Sequence, residues 1–225
     1  MQLFFTPVLQ RAGVLVAGAE TTALISLAAM LLSLALGFAL MLARISRRRP
    51  VRWAAAAYLD LFRNTPFVVQ LFFFYFGLPE IGVHIDELPT GVLALSLATA
   101  TGVAEILRAG VEGVEHGVVE AGRSFGFSGF QLFRTIVLPI ALRMAIRPLT
   151  SVFVNLVLTT SVLSTITVNE LMSGAENTAS ETFRPFETYL LALAFYCVVT
   201  FSVSGAMNAI SLLWIRRSSA SAMAR

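Results

Sequence analysis

The sequence contains no lysine, a single cysteine and only two histidines, and the scarcity of cysteine and histidine excludes two classes of site. Cys197 has no second cysteine with which to form an intrachain disulfide or a thiolate metal site, and its apolar neighbours predict that it packs in the core. His84 and His116 lack the spacing of metal ligands, and no glycine-rich GxxxxGK loop is present to hold a phosphate. We therefore expect no catalytic residue, no metal site and no cofactor bound by this chain.

Charge is also scarce. Charged residues make up 13% of the chain, about half their share of an average soluble domain, while hydrophobic residues make up 57%. This composition predicts a protein that crosses a membrane several times. The cationic residues are all arginines, and they lie beside apolar stretches rather than on a soluble module with interleaved aromatic residues. They indicate membrane topology, and no nucleic-acid partner is expected.

Five apolar stretches, each near or above the ~20 residues that cross the hydrocarbon core, predict an all-α integral membrane protein with a single membrane domain over residues 1–225. They run from about 12 to 43, 53 to 78, 88 to 107, 146 to 166 and 189 to 215. The second is interrupted at 63–66, where Thr65 and Pro66 are typical of a helix cap and a first-turn proline, so a kink or a restart is expected there.

The arginines predict the orientation of these five spans. Thirteen of the 16 fall on one side of the predicted membrane, and they are Arg44, Arg47, Arg48, Arg49, Arg52, Arg108, Arg123, Arg134, Arg143, Arg147, Arg216, Arg217 and Arg225. Arg11 and Arg184 fall on the other side, and Arg63 lies near the membrane edge. Because cytoplasmic loops carry the excess of positive charge, the N-terminus is expected outside and the C-terminus in the cytoplasm.

The cytoplasmic segment of about 112–139, between the third and fourth spans, is predicted to form a helix, a corner and a second helix. Residues 120–125 suit a helix, and Gly126 suits the left-handed position that ends one. Ser128 and Gln131 have the spacing of a capping box, which begins a new helix. Pro139 predicts a break or kink before the next span.

The same segment has a second interpretation from its residues alone. Four phenylalanines could form the apolar side of an amphipathic loop that rests on lipid headgroups, and they are Phe125, Phe127, Phe130 and Phe133. The spacing favours neither interpretation over the other.

Several residues of this segment resemble the EAA loop of binding-protein-dependent ABC importer permeases, and they are Glu120, Ala121, Gly126, Ile136, Leu138 and Pro139. Gly122 stands where the third position of that pattern is often alanine, which slightly weakens the helix. Further blocks at 62–66 with 70–73, at 104–110 and at 183–187 are similar to the polar amino-acid branch of that family.

The resemblance implies the partners of this chain. Two permease subunits would form a pore in the bacterial cytoplasmic (inner) membrane, surrounded by lipid, and a solute-binding protein would deliver cargo from outside. A cytoplasmic ATPase dimer, which binds ATP and Mg, would dock on the EAA loops, so this chain would not itself be an enzyme. The residues implied in coupling are Glu120, Ala121, Gly126, Phe125, Phe127 and Phe130.

Hydroxyl and amide side chains in the third and fourth stretches are candidates for the cargo pathway, namely Thr99, Thr101, Asn155, Thr159, Thr160 and Ser161. Helical spacing puts Ser151, Asn155 and Thr159 on one stripe, and Thr160, Ser164 and Thr167 on another. Each of these side chains could instead form hydrogen bonds between spans. Glu105 and Arg108 are three residues apart and are expected to pair locally.

The chain departs from the family pattern where cargo choice is decided. Many relatives read L-K-D-T-S-L in the fourth span, whereas this chain has Leu158 and Thr159 in place of the charged pair and Gly102 in place of an aromatic residue. Because intramembrane ionisable residues commonly mark ligand sites, this chain is either the non-binding half of a heterodimer, which we favour, or handles a cargo without the matching charge.

Two other functions fit parts of the sequence. A secondary, ion-coupled transporter would show internal repeats and intramembrane charges, and the five stretches show neither. A non-transporting membrane scaffold would explain the cytoplasmic segment but not the hydroxyl-rich fourth stretch. The residues do not identify the cargo.

Overall fold

The computed structural model describes residues 4–223, with side chains up to residue 213, and every regular element in that part of the chain is a helix. We number the helices α1 Thr6–Leu9, α2 Ala12–Arg44, α3 Arg49–Arg63, α4 Phe67–Glu80, α5 Glu87–Glu112, α6 His116–Ser124, α7 Gly129–Ile166, α8 Leu171–Thr182 and α9 Pro185–Met223. The side chains of Arg216 and Arg217, and the whole of Arg225, lie outside the described part.

Four helices are long and apolar enough to cross a membrane: α2, α5, α7 and the described stretch of α9. They contain the predicted first, third, fourth and fifth spans. The predicted fourth span, 146–166, is only the last part of α7, which extends for 38 residues. For the described residues, an all-helical fold with several helices of membrane-spanning length is therefore confirmed, while the number of five spans and their orientation stay predictions.

The predicted second span, 53–78, is not one continuous helix. It is divided into α3 and α4 by a break at 64–66, where an interruption was expected. The apolar helix α4 has about 14 residues and a length of ~21 Å, which is short of a ~30 Å hydrocarbon core. That α4 crosses the membrane therefore stays a prediction.

Gln70 holds the break between α3 and α4. Its side-chain Nε2 donates to the carbonyl oxygens of Phe62 and Thr65, both at 2.8 Å, so it satisfies backbone acceptors at the end of α3. The prediction that Thr65 caps α4 is wrong, because its hydroxyl instead donates to the carbonyl of Leu61 at 2.8 Å. Pro66, with φ −58° and ψ 139°, is the N-cap that precedes α4, so the prediction that it lies in the first turn is also wrong.

Two π-helical turns precede two Leu-Pro pairs. Phe73–Gly77 precedes Pro79 in α4, and Phe133–Val137 precedes Pro139 in α7. A proline ring clashes with the carbonyl four residues back and cannot donate to it, and the wider π turn relieves both problems. The helix therefore continues through Pro139: a break, one of the two expected outcomes, is absent, and a kink there stays a prediction.

The centre of the molecule is formed by α2, α5 and α7. The apolar stretch of α5 is 56% buried, whereas that of α9 is only 6% buried, so α9 lies at the periphery. Cys197 is exposed on α9, and the prediction that it packs in the core is wrong. The exposed apolar residues of α9 include Leu193, Val198, Phe201, Leu212 and Leu213. Such a face needs lipid or another membrane subunit against it.

The N-terminal residues and α8 lie at the same end of the bundle. The backbone N–H of Phe4 donates to Glu187 Oε1 at 3.1 Å, and Arg11 forms an ion pair with Glu181. The corner between α6 and α7 is separated from this end by the length of α7. The predicted outward and cytoplasmic segments therefore fall at opposite ends of the molecule.

Candidate functional site

The corner between α6 and α7 is fixed by backbone geometry on both sides. Gly126 has a φ of +79°, and its N–H donates to the carbonyl of Arg123 at 2.9 Å, while Phe127 N–H donates to Gly122 at 3.3 Å. These two bonds form a Schellman motif, which ends α6. On the other side, Ser128 and Gln131 form the predicted capping box, with distances of 2.9 and 3.3 Å. The chain direction therefore changes at one well-defined point.

A close contact folds α6 back onto the start of α7. Gly122 is buried, and a Cβ at this position would clash with Leu132 Cδ1 and lie 3.0 Å from Ile136 Cδ1. Leu132 is itself buried. The glycine that departs from the EAA pattern thus lets Leu132 and Ile136 approach this closely, and the sequence alone indicates only its lower helix propensity.

Three phenylalanines project from the corner. Phe125 is 83% exposed, Phe130 is 71% exposed and Phe127 is 39% exposed. Phe133 instead packs partly against the core cluster that contains Met41 and Leu107. The four phenylalanines therefore do not form one apolar side, and three of them form an apolar tip.

Polar side chains accompany this tip. Glu120 and Ala121 are exposed on α6, and Glu120 Oε1 lies 3.1 Å from Nδ1 of His116. Arg123 and Arg134 are also exposed. The structure thus brings the predicted coupling residues together on one protruding corner.

A cleft of ≈ 270 Å³ lies between α5 and α7, with Phe67 of α4 at its edge. Four of the six predicted pathway residues line it, namely Thr99, Thr101, Asn155 and Thr159. The other lining residues are apolar or glycine, and none of the lining residues is charged. The cleft therefore offers hydrogen-bonding groups without an ionised one.

The polar side chains of the cleft are not tied to other helices. Thr101 donates to Ala98 at 2.8 Å, Asn155 to Ser151 at 3.1 Å and Thr159 to the carbonyl of Asn155 at 2.7 Å, each within its own helix. The oxygen atoms of these side chains remain available as acceptors. For these residues the structure thus gives no support to hydrogen bonding between spans.

The other two predicted pathway residues lie elsewhere. Thr160 is fully buried and donates to the carbonyl of Val157 at 2.7 Å, within its own helix. Ser161 is half-buried and donates to Leu158 at 2.8 Å. Neither residue lines the cleft.

The expected local pair at the end of α5 is present. Arg108 Nη2 lies 2.7 Å from Glu105, and its Nη1 lies 2.7 Å from Glu112. This cluster lies outside the cleft. Sequence reasoning missed Phe67 at the cleft, Gln70 at the helix break and the buried Glu170, because each depends on contacts that no local pattern encodes.

The chain is similar to known transport proteins over most of its length. Residues 33–215 match the family described as "Binding-protein-dependent transport system inner membrane component". The "Probable glutamine ABC transporter permease protein GlnM" of Bacillus subtilis (strain 168) is 37% identical over 187 residues, which cover 83% of this chain and 87% of that protein. The "Nopaline transport system permease protein NocM" of Agrobacterium fabrum is 34% identical, covering 84% and 83%.

Solved structures share the fold. A crystal structure of an amino acid ABC transporter with histidines has a TM-score of 0.87 and 28% identity, and the match covers 94% of this chain and 99% of that one. An inward-facing MetNI methionine ABC transporter has a TM-score of 0.74 at 19% identity, which shows likeness of fold alone.

Proposed function

The chain belongs to the family of binding-protein-dependent transport system inner membrane components, and on that premise we propose that it forms half of the pore of an ATP-driven importer. It couples to a cytoplasmic ATPase dimer through the corner at 120–139. Its cargo is a polar amino acid or a related small solute, delivered by a solute-binding protein outside the bacterial inner membrane.

The protruding corner carries this proposal. Phe125 and Phe130 are large, exposed and held by a Schellman motif on one side and a capping box on the other. Preorganised aromatic side chains are typical anchors in the grooves of protein partners. A loop that rested on lipid would place its apolar residues along one helix face, whereas these residues lie at a turn. The corner therefore favours a protein groove over a lipid surface.

Movement of the ATPase would reach the membrane through α7. This helix begins beside the capping box at Gly129 and continues without a break to Ile166. The buried contact between Gly122 and Leu132 fixes α6 to the first turn of α7. Closure of the ATPase dimer would then move the corner and α7 together as a rigid body.

A second permease subunit would complete the pathway. The cleft between α5 and α7 is open, and the face of α9 is largely exposed, so this chain alone does not enclose a passage. We favour a heterodimer, because the cleft residues Asn155 and Thr159 offer no charge for a charged cargo group. In that arrangement the partner subunit supplies the ionised residues.

The proposal is tested with the assembled transporter. The tagged chain is purified in mild detergent, copurifying subunits are identified, and the complex is reconstituted in proteoliposomes. Uptake of a panel of radiolabelled L-amino acids is then measured with ATP inside and the solute-binding protein outside. We expect uptake that requires both. Uptake driven by a proton or sodium gradient without an ATPase would indicate a secondary transporter, and a stable complex that moves no solute would indicate a scaffold.

A further inference from the structure

Glu170 is a fully buried carboxylate that the proposed coupling and pathway do not use. It is the N-cap of α8 and lies between the membrane-spanning helices α7 and α9 in sequence. Its Oε1 accepts from the N–H of Ser173 at 2.8 Å, and its Oε2 accepts from the Tyr196 hydroxyl at 2.9 Å. The same Oε2 accepts from the Thr22 hydroxyl at 3.4 Å. One side chain therefore contacts α2, α8 and α9.

The first turn of α8 rests directly on α2. Besides its bond to Glu170, the Thr22 hydroxyl oxygen accepts from the N–H of Leu171 at 3.1 Å. A Cβ at Gly18 would lie 2.9 Å from both the Glu170 carbonyl oxygen and the Leu171 Cα, so the two backbones are in contact. The position of α8 is therefore defined relative to α2.

The far end of α7 lies beside this network. The helix α7, which extends without a break from the corner, ends at Ile166, four residues before Glu170. Leu163 and Ile166 pack in one core cluster with Ile25 and Ala29 of α2, the helix that also carries Thr22. One end of α7 is thus fixed to the proposed coupling corner, and the other end packs against the helix that Glu170 contacts.

A carboxyl group at this buried position lowers the stability of the fold. No cationic side chain contacts it among the described residues, and burial raises the pKa of Glu170, an effect that its hydrogen bonds only partly offset. A buried carboxyl without a cation destabilises a fold relative to an apolar group of similar shape. Buried polar groups that have this effect can instead specify one arrangement of the elements around them.

We propose that Glu170 is a positioning residue for transport, which holds α8 and the adjacent ends of α2, α7 and α9 together as one unit. When the ATPase moves α7 at the corner, the helix ends at the opposite side of the molecule then move together with it. This role rests on the proposed function for the movement of α7. The hydrogen bonds to Thr22 and Tyr196 support this positioning role, because each of them joins Glu170 to a different helix.

The first test measures how much cargo moves per ATP hydrolysed in the reconstituted transporter, using the amino acid that the uptake panel identifies. Tyr196→Phe removes only the hydroxyl, and Glu170→Gln keeps the shape of the side chain. We expect both to lower the ratio by about fivefold or more, as for loss of a typical coupling between sites, with ATPase binding and ATP hydrolysis retained. Glu176→Gln, on the exposed face of α8, is the matched control and should keep the ratio.

A second measurement needs no cargo. Spin labels are attached at Asn177→Cys on α8 and Leu158→Cys on α7 in a Cys197→Ser background, since all three positions are exposed. We expect one narrow distance distribution in the parent complex and a broad one with Tyr196→Phe. Unchanged distances together with an unchanged transport ratio in both variants would overturn the role of Glu170. A parent complex that moves no amino acid would overturn the proposed function instead, and the distances would still test Glu170.

Discussion

Gly122 on α6 lies so close to the Leu132 side chain on α7 that no Cβ fits between them without movement of Leu132. The contact holds the two helices of the corner against each other. It also explains a glycine at a position where the EAA pattern commonly has alanine.

Gly122→Ala is therefore expected to lose most of the stability that alanine normally adds to a helix. The new methyl group must displace Leu132 Cδ1, the end of a flexible side chain, and this displacement offsets much of the ~1 kcal/mol gained in helix propensity. The measurement is the thermal midpoint of the purified chain and its retention of the ATPase. Gly117→Ala on the same helix is the control, because nothing lies within 4 Å of its Cβ position. If both alanines stabilise the chain equally, the contact with Leu132 is unimportant.

Gly126→Val is expected to uncouple transport from ATP hydrolysis or to release the ATPase. The φ of +79° costs a residue with a Cβ roughly 1–2 kcal/mol, and more if it is β-branched, so the Schellman motif should open. Uptake and ATPase copurification measure the effect. Gly129→Ala, which has open space around its Cβ position, serves as the control. Uptake at the parent rate by the valine variant would show that the corner does not transmit force.

Phe125→Ala and Phe130→Ala should each weaken ATPase binding by about 2 kcal/mol, roughly thirtyfold in affinity, if they fill grooves as anchors. The affinity is measured with the chain in nanodiscs and the separately purified ATPase. Phe183→Ala is a matched control, since Phe183 is 85% exposed but lies at the end of the molecule near α8. Equal losses for all three variants would point to a general effect of removing exposed aromatic residues.

Asn155→Leu and Thr159→Val are expected to impair uptake without affecting ATPase binding. Both side chains line the cleft and bond only within their own helix, so substitution removes groups that face the cavity rather than groups that join helices. The KM and kcat of uptake are compared with those of Thr165→Val, an exposed residue of α7 outside the cleft. Unchanged kinetics in both cleft variants would exclude this cleft from the pathway.

Local chemistry explains which features could be predicted. The Schellman motif at Gly126 and the capping box at Ser128 each involve residues within one turn, so their side chains and spacing suffice to predict them. The interruption near Pro66 is also a local signal. The fit of Gly122 under Leu132, the bonds from Gln70 to the end of α3 and the burial of Glu170 depend on residues that meet only after the chain has folded. Such contacts leave no periodic pattern.

Pro139 shows the same limit for a backbone feature. A proline predicts a break from its own geometry, but the π turn at Phe133–Val137 removes the conflict and lets the helix continue. Whether a helix widens or breaks depends on what packs on both sides of it. Here Val137 and Ala141 are buried, and Ala141 packs against α5 beside Gly110.

The buried carboxyl of Glu170 is expected to make the stability of the folded protein depend on pH. Because burial raises its pKa in the folded protein above the ordinary 4.5, the folded state keeps a proton that the unfolded state has already lost. This group therefore stabilises the fold fully below the ordinary pKa, and the contribution is lost as pH rises through the folded-state pKa, by at most about 1.4 kcal/mol per pH unit. Glu170→Gln has no such proton, so its thermal midpoint should fall less than that of the parent as pH rises above the ordinary pKa of 4.5.

Glu176→Gln provides the comparison for this measurement, because Glu176 is exposed on the same helix and should leave the pH dependence of the parent unchanged. The midpoint is measured in detergent with the same buffer series for all three proteins. If the thermal midpoint of Glu170→Gln falls with pH as steeply as that of the parent, another group titrates in this range. A thermal midpoint that depends less on pH in Glu170→Gln alone would show that the buried carboxyl changes its protonation on unfolding. The two variants support this conclusion because each removes one carboxyl group at or on α8, and only the first of these is buried.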